Sequence, residues 1–209
     1  MITKEMLSET GYLIKLQTIN TIKTNNKTKI KFMKKVSLVI AAALISFASF
    51  SQKVYKTNAA QIKFQPITEE AGCTNNQVQS VLSSSDGKIA FSALIKGFKF
   101  SNSLLEDHFN ENYMESTKFP NAKFQGFVTN IKDVDFTKNG VYKVTVKGNL
   151  TIHGVTKEVT TTGTIEIAGG KVIAKANFKV KVADYGVKGL YIGQKIAAEQ
   201  DITVTSTYE

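Results

Sequence analysis

The stretch "YKVTVKGNLTIHGVTKEVTTTGTIEI", Tyr142 to Ile167, alternates between apolar and polar residues almost without a break. Tyr142, Val144, Val146, Gly148, Leu150 and Ile152 interleave with Lys143, Thr145, Lys147, Asn149 and Thr151. A period of two marks a strand with one buried and one solvated face, because successive side chains leave a strand on opposite sides. Past His153-Gly154 the pattern resumes through Val159, Thr161, Gly163, Ile165 and Ile167. It ends at Gly169-Gly170, a pair that predicts a two-residue hairpin. Val172, Ala174, Ala176, Phe178, Val180 and Val182 then face in, while Lys175, Asn177, Lys179 and Lys181 face out. Ile202, Val204, Ser206 and Tyr208 repeat the pattern at the end of the chain.

Upstream, Ile89, Phe91, Ala93 and Ile95 form another apolar row. The phase slips at Lys96-Gly97, which predicts a bulge or bend before Phe98 and Phe100 continue it. One helical segment interrupts the strands. Ser103-Leu104-Leu105-Glu106 has the spacing of a capping box, serine bonding the third amide ahead and glutamate reaching back. It opens a helix anchored by Leu105, Phe109, Tyr113 and Met114 that stops before Pro120. Many antiparallel strands and one short helical insertion predict an all-β domain, either a sandwich or a closed barrel. Closure is favoured because free strand edges invite pairing with other chains.

The chain has 209 residues, 42% of them hydrophobic and 21% charged, enough for one domain with a real core. Its formal charge of +10 is unevenly spread: residues 1–51 carry eight lysines against two glutamates, the rest 19 lysines against 15 acids. Arginine is absent, so the planar fork that reads guanine or clamps phosphate is missing, and nucleic acid is not an expected partner.

Much of that charge belongs to the N-terminus. Met33-Lys34-Lys35 precedes "VSLVIAAALISFASF", Val36 to Phe50, with small residues at Ser49 and Ser51. A basic start, an apolar run too short to span a bilayer and a small-residue exit predict a signal peptide over 33–51. Cleavage is expected near Ser51-Gln52, leaving a periplasmic or secreted protein, residues 52–209, with no stable membrane span. Residues 1–32 include the Asn/Lys/Thr/Ile-biased stretch Asn20 to Phe32 and have no consistent period. They are expected to be a disordered or spurious extension ahead of a true start at Met33. The lone Cys73 has no partner for an internal disulfide, and there is no Cys-x-x-Cys or histidine cluster. No metal, cofactor or catalytic residue is expected.

Four segments together resemble the YceI-like family of exported lipid-binding proteins. "GNLTIHGVTKEVT" (148–160) is similar to its central signature and "LEDHFNENYMESTKFPNAKF" (105–124) to the segment upstream of it. "YKTNAAQIKF" (55–64) is similar to its first strand, and "VADYGVKG" (182–189) to a late strand and turn. The resemblance covers Tyr55 to Tyr208. It implies a closed antiparallel eight-stranded barrel, lipocalin-like, holding a long-chain isoprenoid or similar fatty lipid. The chain departs from the pattern at Ala60-Gln61, where many members carry His-Ser. It also lacks the arginine often found before the aspartate-aromatic-glycine turn. Both departures concern head-group contacts.

An eight-stranded barrel is about wide enough for packed side chains or one small ligand. Small inward residues, Ala93, Ala174, Ala176 and Gly163, lie among Phe91, Phe124 and Phe178 and leave room; the other reading is that they fit the taper of a filled core. Phe91, Ala93, Phe124, Val144, Val146, Ala174, Ala176 and Phe178 are the residues expected to line a ligand cavity. His153 falls on the outer phase at a strand end, before Gly154. It lacks companions for a metal site and the elbow of a hydrolase nucleophile, so a turn contact to backbone is expected. His108, in Glu106-Asp107-His108, reads as a solvated helix face. Three classes of function remain: a lipid carrier or store, a ligand-free β-domain of the envelope, and an enzyme on the same barrel. The last would need a polar cluster inside the cavity that the pattern lacks. The sequence leaves the oligomeric state open, a dimer included.

Overall fold

The alternation that opens at Tyr142 becomes the longest ladder of the molecule, thirteen antiparallel pairs from Gly140↔Ile167 to Ile152↔Val155. The structure, a computed structural model, describes residues 53–65, 72–194 and 196–208. The stretches expected to be an extension, 1–32, and a signal peptide, 33–51, lie outside the described residues. The strands are β1 (Val54–Gln65), β2 (Cys73–Ser83), β3 (Lys88–Leu94), β4 (Lys99–Phe100), β5 (Asn121–Val128), β6 (Gly140–Ile152), β7 (Val155–Ala168), β8 (Lys171–Lys181) and β9 (Glu199–Tyr208).

They pair in the order β1-β9-β8-β7-β6-β5-β3-β2, and β2 returns to β1. Eight strands therefore close into the antiparallel barrel that the sequence predicts, and β4 is a two-residue ribbon beside the start of β2. The slip at Lys96-Gly97 is a single 3₁₀ turn, Ile95–Gly97, rather than a bulge. Closure leaves the eight barrel strands without a free edge.

Inward rows follow the alternation. Val144, Leu150, Ile165, Ile167, Val172, Val180 and Ile202 are buried, while the lysines between them are exposed. The barrel has two unlike ends. Where β1 begins and β9 finishes, Tyr55 stacks on Phe136 at 5.5 Å, and the Tyr208 hydroxyl lies 2.7 Å from Ser80 Oγ. Ile131 and Val134 close over this cluster, which is a packed floor. At the other end lie helix α1 (Ser103–His108), its π-helical continuation Phe109–Tyr113, and residues 182–198.

Two local expectations are corrected. The helix cap is Asn102, whose Oδ1 accepts from the Leu104 amide at 2.9 Å, not Ser103. Glu106 is drawn away from the cap, its carboxylate receiving Lys99 Nζ at 2.5 Å and the Phe100 amide at 3.3 Å. His153 does not bond neighbouring backbone. With His153 at φ +50° and Gly154 at +76°, the two-residue turn takes left-handed backbone at both positions. The side chain thus leaves the outward phase and lies only 12% exposed, with Nε2 2.6 Å from Glu115 Oε2. Phe119 packs on the imidazole at 4.5 Å, so close to the turn that a Cβ on Gly154 would stand 2.6 Å from Phe119 Cε1. His108 Nδ1 lies 2.9 Å from Asn112 Nδ2 on an exposed helix face.

Candidate ligand cavity

Small side chains at inward positions leave the barrel axis unfilled. Ala176 on β8 stands between Gly163 on β7 and Val204 on β9, so three adjacent strands offer only small or medium groups at that level. Ala174 and Ala93 do the same elsewhere. The result is an apolar cavity of about 130 Å³ above the floor. All eight residues singled out from sequence line it: Phe91 and Ala93 from β3, Phe124 from β5, Val144 and Val146 from β6, and Ala174, Ala176 and Phe178 from β8. Lys123 and Lys175 also border it, but Lys123 is exposed and the Lys175 ammonium turns outward to Glu166 at 3.4 Å. Thr161 Oγ1 is satisfied by the Asn177 carbonyl at 3.2 Å.

A second compartment of about 140 Å³ lies at the helical end. Phe64, Phe109, Met114, Ile152 and Val180 line both, forming a waist between them. Its outer wall comes from Leu105 and Tyr113 of the helical segment and from Tyr185, Val187, Ile192 and Ile196. Each compartment is close to the roughly 150 Å³ of an apolar cavity that takes up benzene. Left empty, each costs on the order of 3 kcal/mol at about 24 cal/mol per Å³. Two such spaces in line suit a chain better than a compact ring.

No charged residue lines the outer compartment among the described residues. Its titratable groups also stay neutral: burial pushes the Cys73 thiol up to about 12, with Glu106 adding to the effect. Burial likewise raises the phenols of Tyr113, helped by Tyr191, and Tyr185, helped by Asp184. Among the described residues, no three His, Cys, Asp or Glu side chains gather as metal ligands. Nor is any helix there long and apolar enough to cross a membrane.

The YceI-like domain model matches residues 46–208, most of the sequence. The chain belongs to the YceI-like family. Among solved structures, this YceI-like barrel is similar to a polyisoprenoid-binding domain from Saccharophagus degradans, with a TM-score of 0.64 at 13% identity, covering 76% of this chain and 99% of the other. It is also similar to BcnA of Burkholderia cenocepacia, with a TM-score of 0.57 at 14% identity over 75% of this chain and 96% of the other. At such identities the likeness speaks for the fold. Comparison with curated proteins gave no match.

Sequence reasoning missed the outer compartment. Phe64 escaped notice because β1 shifts register around Ala60, which breaks its alternation. Leu105, Phe109, Tyr113 and Met114 were legible as helix anchors, and their spacing of four already placed three of them on one face. What they would face was not legible.

Proposed function

We propose that this YceI-like barrel holds one long-chain isoprenoid or similar amphiphilic lipid, as a carrier or store in the periplasm or outside the cell. The observation that carries this reading is the pair of apolar compartments in line, the outer one without a charged lining residue among the described residues, closed at one end by the Tyr55–Tyr208 floor. A methylene moved from water into such a space gains about 0.8 kcal/mol, so ten would supply about 8 kcal/mol, the scale of micromolar affinity, before the costs of binding. The polyisoprenoid-binding neighbour from Saccharophagus degradans supports the same ligand class. Within this reading the protein binds rather than transforms its ligand.

The head group is a neutral one, buried in the outer compartment. A buried charge without a partner is strongly unfavourable, and Cys73, Tyr113, Tyr185 and Gln200 supply the outer compartment with neutral polar atoms alone. Farnesol or a longer isoprenol should therefore bind at least about tenfold more tightly than its diphosphate, as read by competition for a fluorescent fatty probe. A diphosphate that binds as well as the alcohol would contradict this.

The proposed location follows from the basic start, apolar run and small residues of 33–51. N-terminal sequencing of protein from the envelope or medium should find a first residue at or near Gln52. Recovery of a chain with an intact Met1 there would refute the signal.

A further inference from the structure

Phe109, Tyr113 and Met114 of the helical segment line the outer compartment, so a long chain entering from the helical end passes them. We propose that the helical segment 103–114 is a flap over the outer compartment, hinged at Glu115 and held shut by the Glu115–His153 bond. The inference rests on the ligand-binding reading for its purpose, though not for its test.

The flap is lightly held. Of residues 103–114 Met114 alone is buried, and Leu105, Phe109 and Tyr113 are half-buried anchors. Its first turn is tied through the Asn102 cap and through Glu106 to Lys99 and the Phe100 amide. Past its far end the chain is fixed to the barrel: Phe119 lies on His153, and the Pro120 carbonyl accepts from the Ile95 amide at 2.8 Å. Glu115 sits at the junction.

Glu115 at φ +42° and His153 at +50° are the two non-glycine residues with positive φ among the described residues, and they are each other's side-chain partners at 2.6 Å. Left-handed backbone is disfavoured for a glutamate and persists where the surroundings hold it. The Ser116 amide, donating to the Asn110 carbonyl at 2.8 Å, closes a helix C-cap over Glu115 and helps hold this φ; opening breaks that bond together with the side-chain bond, returns Glu115 to ordinary φ and swings the segment before it. One residue thus serves as hinge and catch, a two-state element of the kind that domain and loop closures use. Lys118, 3.8 Å from Glu115 Oε1 and exposed, is the other charge against the catch.

Cys73 provides a reporter that needs no ligand. It is the chain's single cysteine, lies 5% exposed against the outer compartment, and pairs with Phe100 beneath the flap. The experiment measures alkylation of Cys73 by a neutral maleimide in lipid-free protein, at rising urea concentrations below the unfolding transition. His153→Asn removes the imidazole and keeps a residue that tolerates left-handed backbone. It should speed labelling at least about tenfold, the scale of one hydrogen bond to a charged group. The faster rate should be nearly independent of urea, the mark of a local opening. Glu115→Gln, which keeps the backbone and weakens the bond, should give an intermediate rate and carries the test if His153→Asn does not fold. Native-rate labelling in either folded variant, or a rate that rises with urea as steeply as global unfolding, would overturn the flap. Fast labelling in a protein that binds no lipid would leave the flap standing and remove only its purpose.

Discussion

An Ala176→Trp variant is expected to lose at least about a hundredfold in affinity for a long-chain lipid while its thermal midpoint moves little. Ala176 lies mid-strand on the cavity wall, opposite Gly163 and Val204. An indole there enters space that a ligand chain would occupy. Displacing four methylenes at about 0.8 kcal/mol each removes about 3 kcal/mol, slightly more than two decades of affinity. In a filled core the same substitution would overpack at a cost of about 1–3 kcal/mol or more in stability, so the melting curve distinguishes the two cases. Lys175→Trp is the control, since that side chain lies on the outer face beside Glu166. Normal lipid binding with an early melt in Ala176→Trp would point to a filled interior and against the cavity.

Gly148→Val should be among the most destabilising single changes in the barrel wall. Gly148 on β6 pairs directly with Gly126 on β5. A Cβ on Gly148 would stand 2.4 Å from the Gln125 carbonyl oxygen, 2.5 Å from the Gly126 Cα and 2.7 Å from Phe124 Cζ. The first two are backbone atoms, so relief requires parting the two strands. The phenyl ring of Phe124 fills the volume that side chains would otherwise take. We expect a loss at or beyond the upper end of the roughly 1–3 kcal/mol that overpacking usually costs, read from urea unfolding. Gly140→Ala, whose Cβ would meet Tyr142 at an ordinary 3.5 Å, should be tolerated. Equal midpoints for the two variants would show that the β5–β6 approach is looser than described.

How legible each part was depended on how local its cause is. Alternation is local, so β6, β7, β8 and β9 and their inward rows could be read directly, and the cavity-facing positions came with them. Closure followed from the need to remove edges, together with the family resemblance. Ile152 and Val180 at the waist belong to those rows, but the rest of the waist and the outer compartment could not be read this way, because they are built where periodicity stops: Met114 follows a π-helical turn, and Ile192 and Ile196 lie in an irregular connection. The Glu115–His153 contact spans 38 residues and joins two turns, neither of which carries a sequence signal for the other. The cap moved by one residue because Asn102 and Ser103 are both good caps, and Lys99 on β4 decided where Glu106 would go.

Occupancy of the barrel interior by a long apolar chain is the property on which the proposed function stands. Native mass spectrometry decides it, on protein expressed with residues 1–51 retained and purified from the envelope or medium without detergent. The expected result is a population carrying one added mass of a neutral isoprenoid or similar lipid, lost on mild activation and absent from Ala176→Trp. A bare mass for the wild-type protein, both as purified and after incubation with isoprenols, would contradict the account.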